Sequence, residues 1–363
     1  MSNLEKVLKA AVNHSASDVH LAPDEPYILR RFGRLVKLKS APLSAAQCRR
    51  EILEILNKEQ QAKLNKDLQL DFAFEMPQLG RFRGSAMIHH KGMSAAIRII
   101  PPQIPTFEEL GLPEITAKIL DNHQGIILVT GATGQGKSTT LAAMVDYINT
   151  NRAHHILTVE DPIEFIHPIK RGVVNQRQLD RDTLSYNNAL KGALREDPDV
   201  IVIGELRDLA TISLAISAAE TGHLVIGTLA TSNAPKTIDR IIDAYPPEEQ
   251  NQIRTMLSES LKAVISQRLI PGLDGKSMWL ACEVMIGTLS LTNLIRDGKT
   301  FQIPSMMQTG KGAGMQIMDD SILSLLQEGK ISASEAYANA AKPEKFKLYL
   351  EKEERKNQAA KAA

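Results

Sequence analysis

The stretch Ile126-Ile127-Leu128-Val129-Thr130-Gly131-Ala132-Thr133-Gly134-Gln135-Gly136-Lys137-Ser138-Thr139-Thr140 runs from an apolar segment through a glycine-rich loop into a helical pattern. From Gly131 to Ser138 it completes the G-x-x-x-x-G-K-[ST] spacing, which reads as a buried strand, a phosphate-binding loop and a helix. Each residue type has a physical task. Glycines let backbone N–H groups curl around phosphates, Lys137 reaches the terminal phosphates, and the Ser138 hydroxyl can ligate Mg²⁺. Leu141, Met144, Val145 and Ile148 recur at helical spacing just beyond, so the positive end of a helix adds to the anion seat. The seat comprises Gly131, Ala132, Thr133, Gly134, Gln135, Gly136, Lys137, Ser138 and Thr139, with Gln135 contributing mainly its backbone N–H. The implied ligand is ATP or GTP.

Outward from the loop, the apolar runs Ile126–Thr130, Ile156–Val159, Val200–Ile203 and Leu224–Leu229 alternate with helical segments from about Leu112 onward. That alternation predicts an α/β domain, a mostly parallel sheet covered by helices. The first hundred residues mix short helical and strand patterns, among them Tyr27–Arg31, Leu35–Leu38 and Arg81–Ile88, and read as a small α+β domain. Between the two lies Pro101-Pro102-Gln103-Ile104-Pro105; three prolines fix φ and remove donors, so this is the expected linker. The organisation predicted is therefore residues 1–100, a linker over 101–112, and a nucleotide domain over 113–363. Helical patterns dominate from about Ser290, and Lys345–Ala363 reads as a charged, solvated helical tail.

With 363 residues the chain is long enough for about two domains. Lys and Arg number 43 against 42 Asp and Glu, and aromatics make up only 4%, which gives neither the basic field nor the stacking platform of a nucleic-acid translocase. Cys48 and Cys282 form no C-x-x-C pair, which argues against a structural zinc site or a disulfide framework. No apolar run reaches the length of a membrane span, and the N-terminal stretch beginning Met1-Ser2-Asn3 lacks a leader's apolar core. A soluble, cytoplasmic protein with no direct membrane insertion is the expectation.

Three further segments carry chemistry. Glu160, Asp161 and Glu164 follow a predicted strand, at the sheet edge where open α/β folds bind ligands, and any of the three could orient and deprotonate an attacking water. The run Asp199–Ile203 leads into Gly204-Glu205-Leu206-Arg207, a strand with a terminal acid; Glu205 would hold Mg²⁺, partly through water, together with Ser138. Glycine at 204 stands where many such motifs carry aspartate. His223 precedes the next strand and is a candidate sensor of the γ-phosphate. In the first domain Arg81, Arg83 and Arg98 flank strand-like segments and could clamp phosphate oxygens.

These blocks in this order resemble the secretion-ATPase superfamily of type II secretion and type IV pili, and Ala16-Ser17-Asp18-Val19-His20-Leu21 is similar to that family's N-terminal signature. The resemblance implies a PAS-like first domain, a mobile linker and a RecA-like domain with a helical C-terminal part, assembled as a homohexamer with ATP and Mg²⁺ held between domains. Within the superfamily, Leu291–Asp297 and the stretch Ser305 to Asp319 are similar to the pilus retraction ATPases. By resemblance Glu164 becomes the glutamate that polarises water and Glu205 the Mg²⁺-site acid, while Arg81, Arg83 and Arg98 are offered to the nucleotide and Arg195 and Arg207 support the site.

The function so implied is a hexameric ATP-hydrolysing motor that retracts type IV pili from the cytoplasmic face of an inner-membrane platform protein. Extension and secretion motors commonly carry an extra N-terminal domain and a tetracysteine element, which two cysteines cannot supply. A non-motor regulator or scaffold is the other alternative. Its support is Ala230, which stands where family members usually show a second histidine.

Overall fold

The computed structural model describes residues 3–14, 16–77 and 79–362; Met1 and Ser2 of the N-terminal stretch read above, and Ala363 at the end of the tail, lie outside the described residues. The chain divides into two compact units, one of residues 1–104 with 162–166 and the other of residues 105–161 with 167–363. The first boundary falls inside the expected linker, but that linker is shorter than 101–112. Thr106 caps a helical turn, Phe107–Leu110, in a reciprocal box with Glu109, so helix resumes two residues after Pro105.

The first unit is an antiparallel sheet of six strands: β1 (Asp18–Leu21), β2 (Ile28–Arg31), β3 (Arg34–Lys37), β4 (Gln69–Met76), β5 (Gly80–His89) and β6 (Gly92–Ile100). Their order is β3-β2-β1-β6-β5-β4. Two of its helices, Ala45–Glu54 and Lys58–Asp67, open with capping boxes, Ser44 with Gln47 and Asn57 with Gln60. The period-two alternation of the strands sorts the sheet into faces. The row Leu29, Val19, Ile97, Gly84, Phe72 crosses five strands in register and lies in the core, with Gly84 bare because a Cβ there would sit 2.2 Å from the Phe72 ring. One residue along, the row Arg30, Asp18, Arg98, Arg83 points the other way.

The second unit holds seven strands: β7 (Gly125–Thr130), β8 (His155–Glu160), β9 (Val173–Gln178), β10 (Val200–Ile203), β11 (Leu224–Leu229), β12 (Leu261–Pro271) and β13 (Met278–Ile286). Their order is β13-β12-β7-β11-β10-β8-β9, all pairs parallel except β12 with β13. All four strands read from the sequence are present. Strand β7 is buried over its whole length, as a central strand covered on both faces must be. Because β7, β8, β10 and β11 are parallel, the loops that follow them leave from one edge of the sheet, which gathers segments far apart in sequence.

Beyond β13 the chain is helical from Leu289 to Ala362, as expected, apart from short connections. The tail differs from the solvated helix expected of it. Phe346, 1% exposed, plugs a small core with Ile270, Ile322 and Ile331. In the last helix, Lys347–Ala362, the Glu353 carboxylate accepts the backbone N–H groups of Ala333 and Ser334 at 3.2 and 2.9 Å. Those are free donors in the first turn of the helix Ala333–Asn339, so Glu353 caps a neighbouring helix.

Candidate nucleotide site

The phosphate loop lies between β7 and the helix Lys137–Asn151. Gly131, Gly134 and Gly136 have φ of 149°, 82° and 83°, a region L side chains seldom enter. At Gly131 a Cβ would also meet the Gln267 carbonyl at 2.7 Å. The helix starts from Gly136 with no side-chain cap, so its first N–H groups remain available to an anion. The Lys137 ammonium is folded back onto the loop, donating to the carbonyls of Gly131 at 2.8 Å and Ala132 at 3.0 Å. Burial lowers its pKa, and the nearby Glu205 carboxylate works in the opposite direction.

Glu205 follows β10 on the same edge. Its carboxylate accepts Arg207 Nε at 2.6 Å, and the same guanidinium reaches Asp161 at 3.8 Å. Arg207 thus links the acids that follow β8 and β10. Glu160 takes a different role, accepting Thr158 Oγ1 at 2.7 Å and the Gln176 amide at 3.0 Å; it braces β8 against β9. Gly204 lacks a side chain because a Cβ would crowd the Tyr186 hydroxyl at 3.1 Å and the Val159 carbonyl at 3.2 Å. An aspartate at 204 would therefore displace the end of β8. Thr228 donates to the Gly204 carbonyl at 2.6 Å and fixes the turn that presents Glu205. Tyr186 was not singled out from the sequence; burial and the surrounding carboxylates of Asp161, Glu205 and Glu160 push its pKa up, so it stays a neutral donor.

Glu164 belongs to the first unit, where Arg83 Nη1 donates to its carboxylate at 3.1 Å and Arg81 Nη2 donates to the Ile163 carbonyl at 2.9 Å. Two of the three candidate arginines therefore hold the segment 162–166. Arg98 is engaged elsewhere, donating from Nε to Asp18 at 2.9 Å. Asp18, 6% exposed, also has Arg30 at 3.9 Å. In this arrangement Arg98 neutralises a buried aspartate. Arg195 lies exposed beyond the helix Tyr186–Ala193.

His223 requires a correction. It sits before β11, its carbonyl accepting Gly125 N–H at 3.0 Å, while Leu229 at the other end of β11 pairs with Thr130. Parallel pairing puts the imidazole a full strand length, roughly 17–20 Å, from the phosphate loop of its own chain. There it lines a cleft of about 290 Å³ with Asn122, His123, Arg152, His154 and Asp199. The residue that leaves β11 beside the loop is Ala230, exposed at the edge. A second correction concerns Gln135, whose side chain accepts the backbone N–H of Leu269 at 2.6 Å and so contributes more than a backbone N–H. Sequence reading had no handle on this partner, because β12 was not identified.

The profile of the family described as "Type II/IV secretion system protein" matches residues 1–316. A protein named as the type IV pilus retractation ATPase PilT of Pseudomonas aeruginosa is 47% identical over 95% of this chain and 100% of its own length. A twitching motility protein of Neisseria gonorrhoeae is also 47% identical, over 87% of this chain and 85% of its own. Among solved structures, the pilus retraction motor PilT with bound ADP superposes with a TM-score of 0.85 at 40% identity, covering 95% of this chain and 98% of that one. The match embraces the phosphate loop and both sheets just described, and the chain belongs to the type II/IV secretion system protein family, in its branch of PilT-type pilus retraction ATPases.

Proposed function

We propose that this chain hydrolyses ATP as a homohexamer and uses the energy to retract type IV pili, working at the cytoplasmic face of the inner membrane against a platform protein. The observation that carries this reading is the convergence of the phosphate loop, Glu205, Arg207 and Asp161 on one edge of a parallel sheet, in a chain that resembles the retraction ATPases over nearly its whole length. Among the described residues no helix is long and apolar enough to cross a membrane.

The site supports the following division of labour. Backbone N–H groups of the loop and of the helix start bind the phosphates, and Lys137 exchanges its two loop carbonyls for terminal phosphate oxygens. Ser138 and Glu205, a hydroxyl and one carboxylate, are donors that fit a small hard cation and would hold it beside the phosphates. Bound by these two side chains, Mg²⁺ would supply charge neutralisation to the phosphates. Glu164 accepts the proton of the attacking water once its carboxylate is released from Arg83. Arg207 holds Glu205 in place. Arg81 and Arg83 act on the reaction by positioning the segment that bears Glu164.

Steady-state hydrolysis by Glu164→Gln tests the assignment. We expect turnover to fall by about 10²- to 10⁴-fold, the range of a lost general base, with ATP still retained; turnover at the parent rate would remove Glu164 from this role. A scaffold that binds nucleotide without turnover is the second reading, favoured by Ala230 at the edge beside the loop. Negligible hydrolysis by the purified oligomer would select it.

A further inference from the structure

Strand β12 outruns its neighbour. Its pairing with β7 ends at Ser266 opposite Thr130, yet β12 continues to Pro271. Where β7 turns away into the phosphate loop, the backbone donors of β12 on that side lose their strand partner. A donor shielded from solvent takes another acceptor within reach, and the part-buried Leu269 N–H finds one in the Gln135 side chain at 2.6 Å. Around this bond the loop and the two elements that flank it meet β12 at three more places. Thr130 Oγ1 donates to Ser266 Oγ at 2.9 Å, and the Gln267 amide donates to Thr140 Oγ1 at 2.7 Å. The Leu269 side chain lies 3.7 Å from where a Gly136 Cβ would be.

The residue of β12 just before Leu269 reaches the C-terminal helices. Arg268 Nη1 donates to the carbonyl of Asn339, the last residue of the helix that Glu353 caps. The two contacts sit on adjacent residues of one strand, so a shift of β12 moves both. A serine at 135 ends one bond beyond Cβ and stops about two bonds short of Leu269.

We propose that Gln135 is a positioning residue for nucleotide binding. It latches the phosphate loop to β12, and through Arg268 the latch makes the loop's affinity depend on the docked C-terminal helices. The inference rests on the reading of the loop as the nucleotide seat, and Lys137→Ala serves as the control for that reading.

The experiment measures ADP affinity by titration, and KM and kcat for ATP, on the full chain. Gln135→Ser removes the reach, and Gln135→Leu keeps the bulk without the acceptor. A single hydrogen bond corresponds to a factor of about 3 to 10, so both variants should raise the ADP Kd and the KM by about that much. With chemistry untouched, kcat should stay within about twofold. Arg268→Met should weaken binding in the parent and add less in the Gln135→Leu background, because the two act through one strand. Unchanged affinity in both Gln135 variants overturns the latch, as does a fall confined to kcat. Full additivity of Arg268→Met overturns the link to the C-terminal helices. If Lys137→Ala binds ADP like the parent, the nucleotide seat itself is wrong, and that failure is separate from the other two.

Discussion

The two edges of the seven-stranded sheet are built from the same strands and do opposite things. At the edge where β7, β8, β10 and β11 end, the chain spends glycines, an uncapped helix start and a lysine to make a seat for phosphate. At the edge where they begin, side chains satisfy the backbone. The Asp199 carboxylate takes His155 N–H at 2.8 Å and sits 3.6 Å from His154 Nδ1, and the His223 ring bonds the Ala218 carbonyl at 3.1 Å. The difference teaches that a polar residue near a motif in sequence can lie a strand length from it in space. In a parallel sheet, what decides is which end of the strand it flanks.

The strongest way to sharpen this contrast is Lys137→Ala at the phosphate edge, which should lower kcat/KM for ATP by about 10³-fold, read in a coupled phosphate-release assay. Glu205→Gln keeps the size of the side chain and removes the charge that Arg207 orients and that the proposed Mg²⁺ site would use. A fall of about 10²-fold, partly relieved by raised Mg²⁺, is expected, and a Mg²⁺ titration of the rate checks it.

A third test concerns acid. His167 follows the segment bearing Glu164; the residue is partly buried, its Nδ1 is buried without a partner among the described residues, and its pKa is lowered to about 4, chiefly by burial. The unfolded chain titrates near 6.5, so the neutral ring's contribution is complete above that pH and fades as pH falls toward 4. Between pH 7 and pH 5 the loss is about 2 kcal/mol, measurable as a shift of the denaturation midpoint. In His167→Gln that pH dependence should flatten; an unchanged slope would refute the buried neutral state. The smallest effect is expected at the other edge, where His223→Ala should leave kcat/KM within about twofold, because it removes one modest hydrogen bond far from the loop. A tenfold loss there would break the contrast and bring the His223 edge to the nucleotide of a neighbouring copy.

Much of this was legible in the sequence because it rested on local chemistry. The loop announced itself through its glycines and a fixed spacing, and the four central strands through mostly apolar runs. The site's partnerships were not, because they join residues distant in sequence. Nothing near Gln135 signals Leu269, 134 positions away, nor does anything near Arg98 signal Asp18, 80 positions away. Only strand order and register place them together. Strands β12 and β13 were missed for a related reason. Their burial patterns interleave half-exposed positions with the apolar ones, which blurs the signal that made β7 plain.

The assignment of residues 162–166 to the first unit has a consequence for anyone who would take the protein apart. The covalent chain passes from one unit to the other three times, after Ile104, after Asp161 and after Ile166. A cut in the proline-rich segment therefore severs only one of three connections. A fragment ending at Ile104 would leave behind the segment that Arg81 and Arg83 grip, and a fragment beginning at Pro105 would keep Glu164 without its arginine. The two halves can be mixed or exchanged with those of a relative only as a three-way splice, so this glutamate and its arginine should be inherited together.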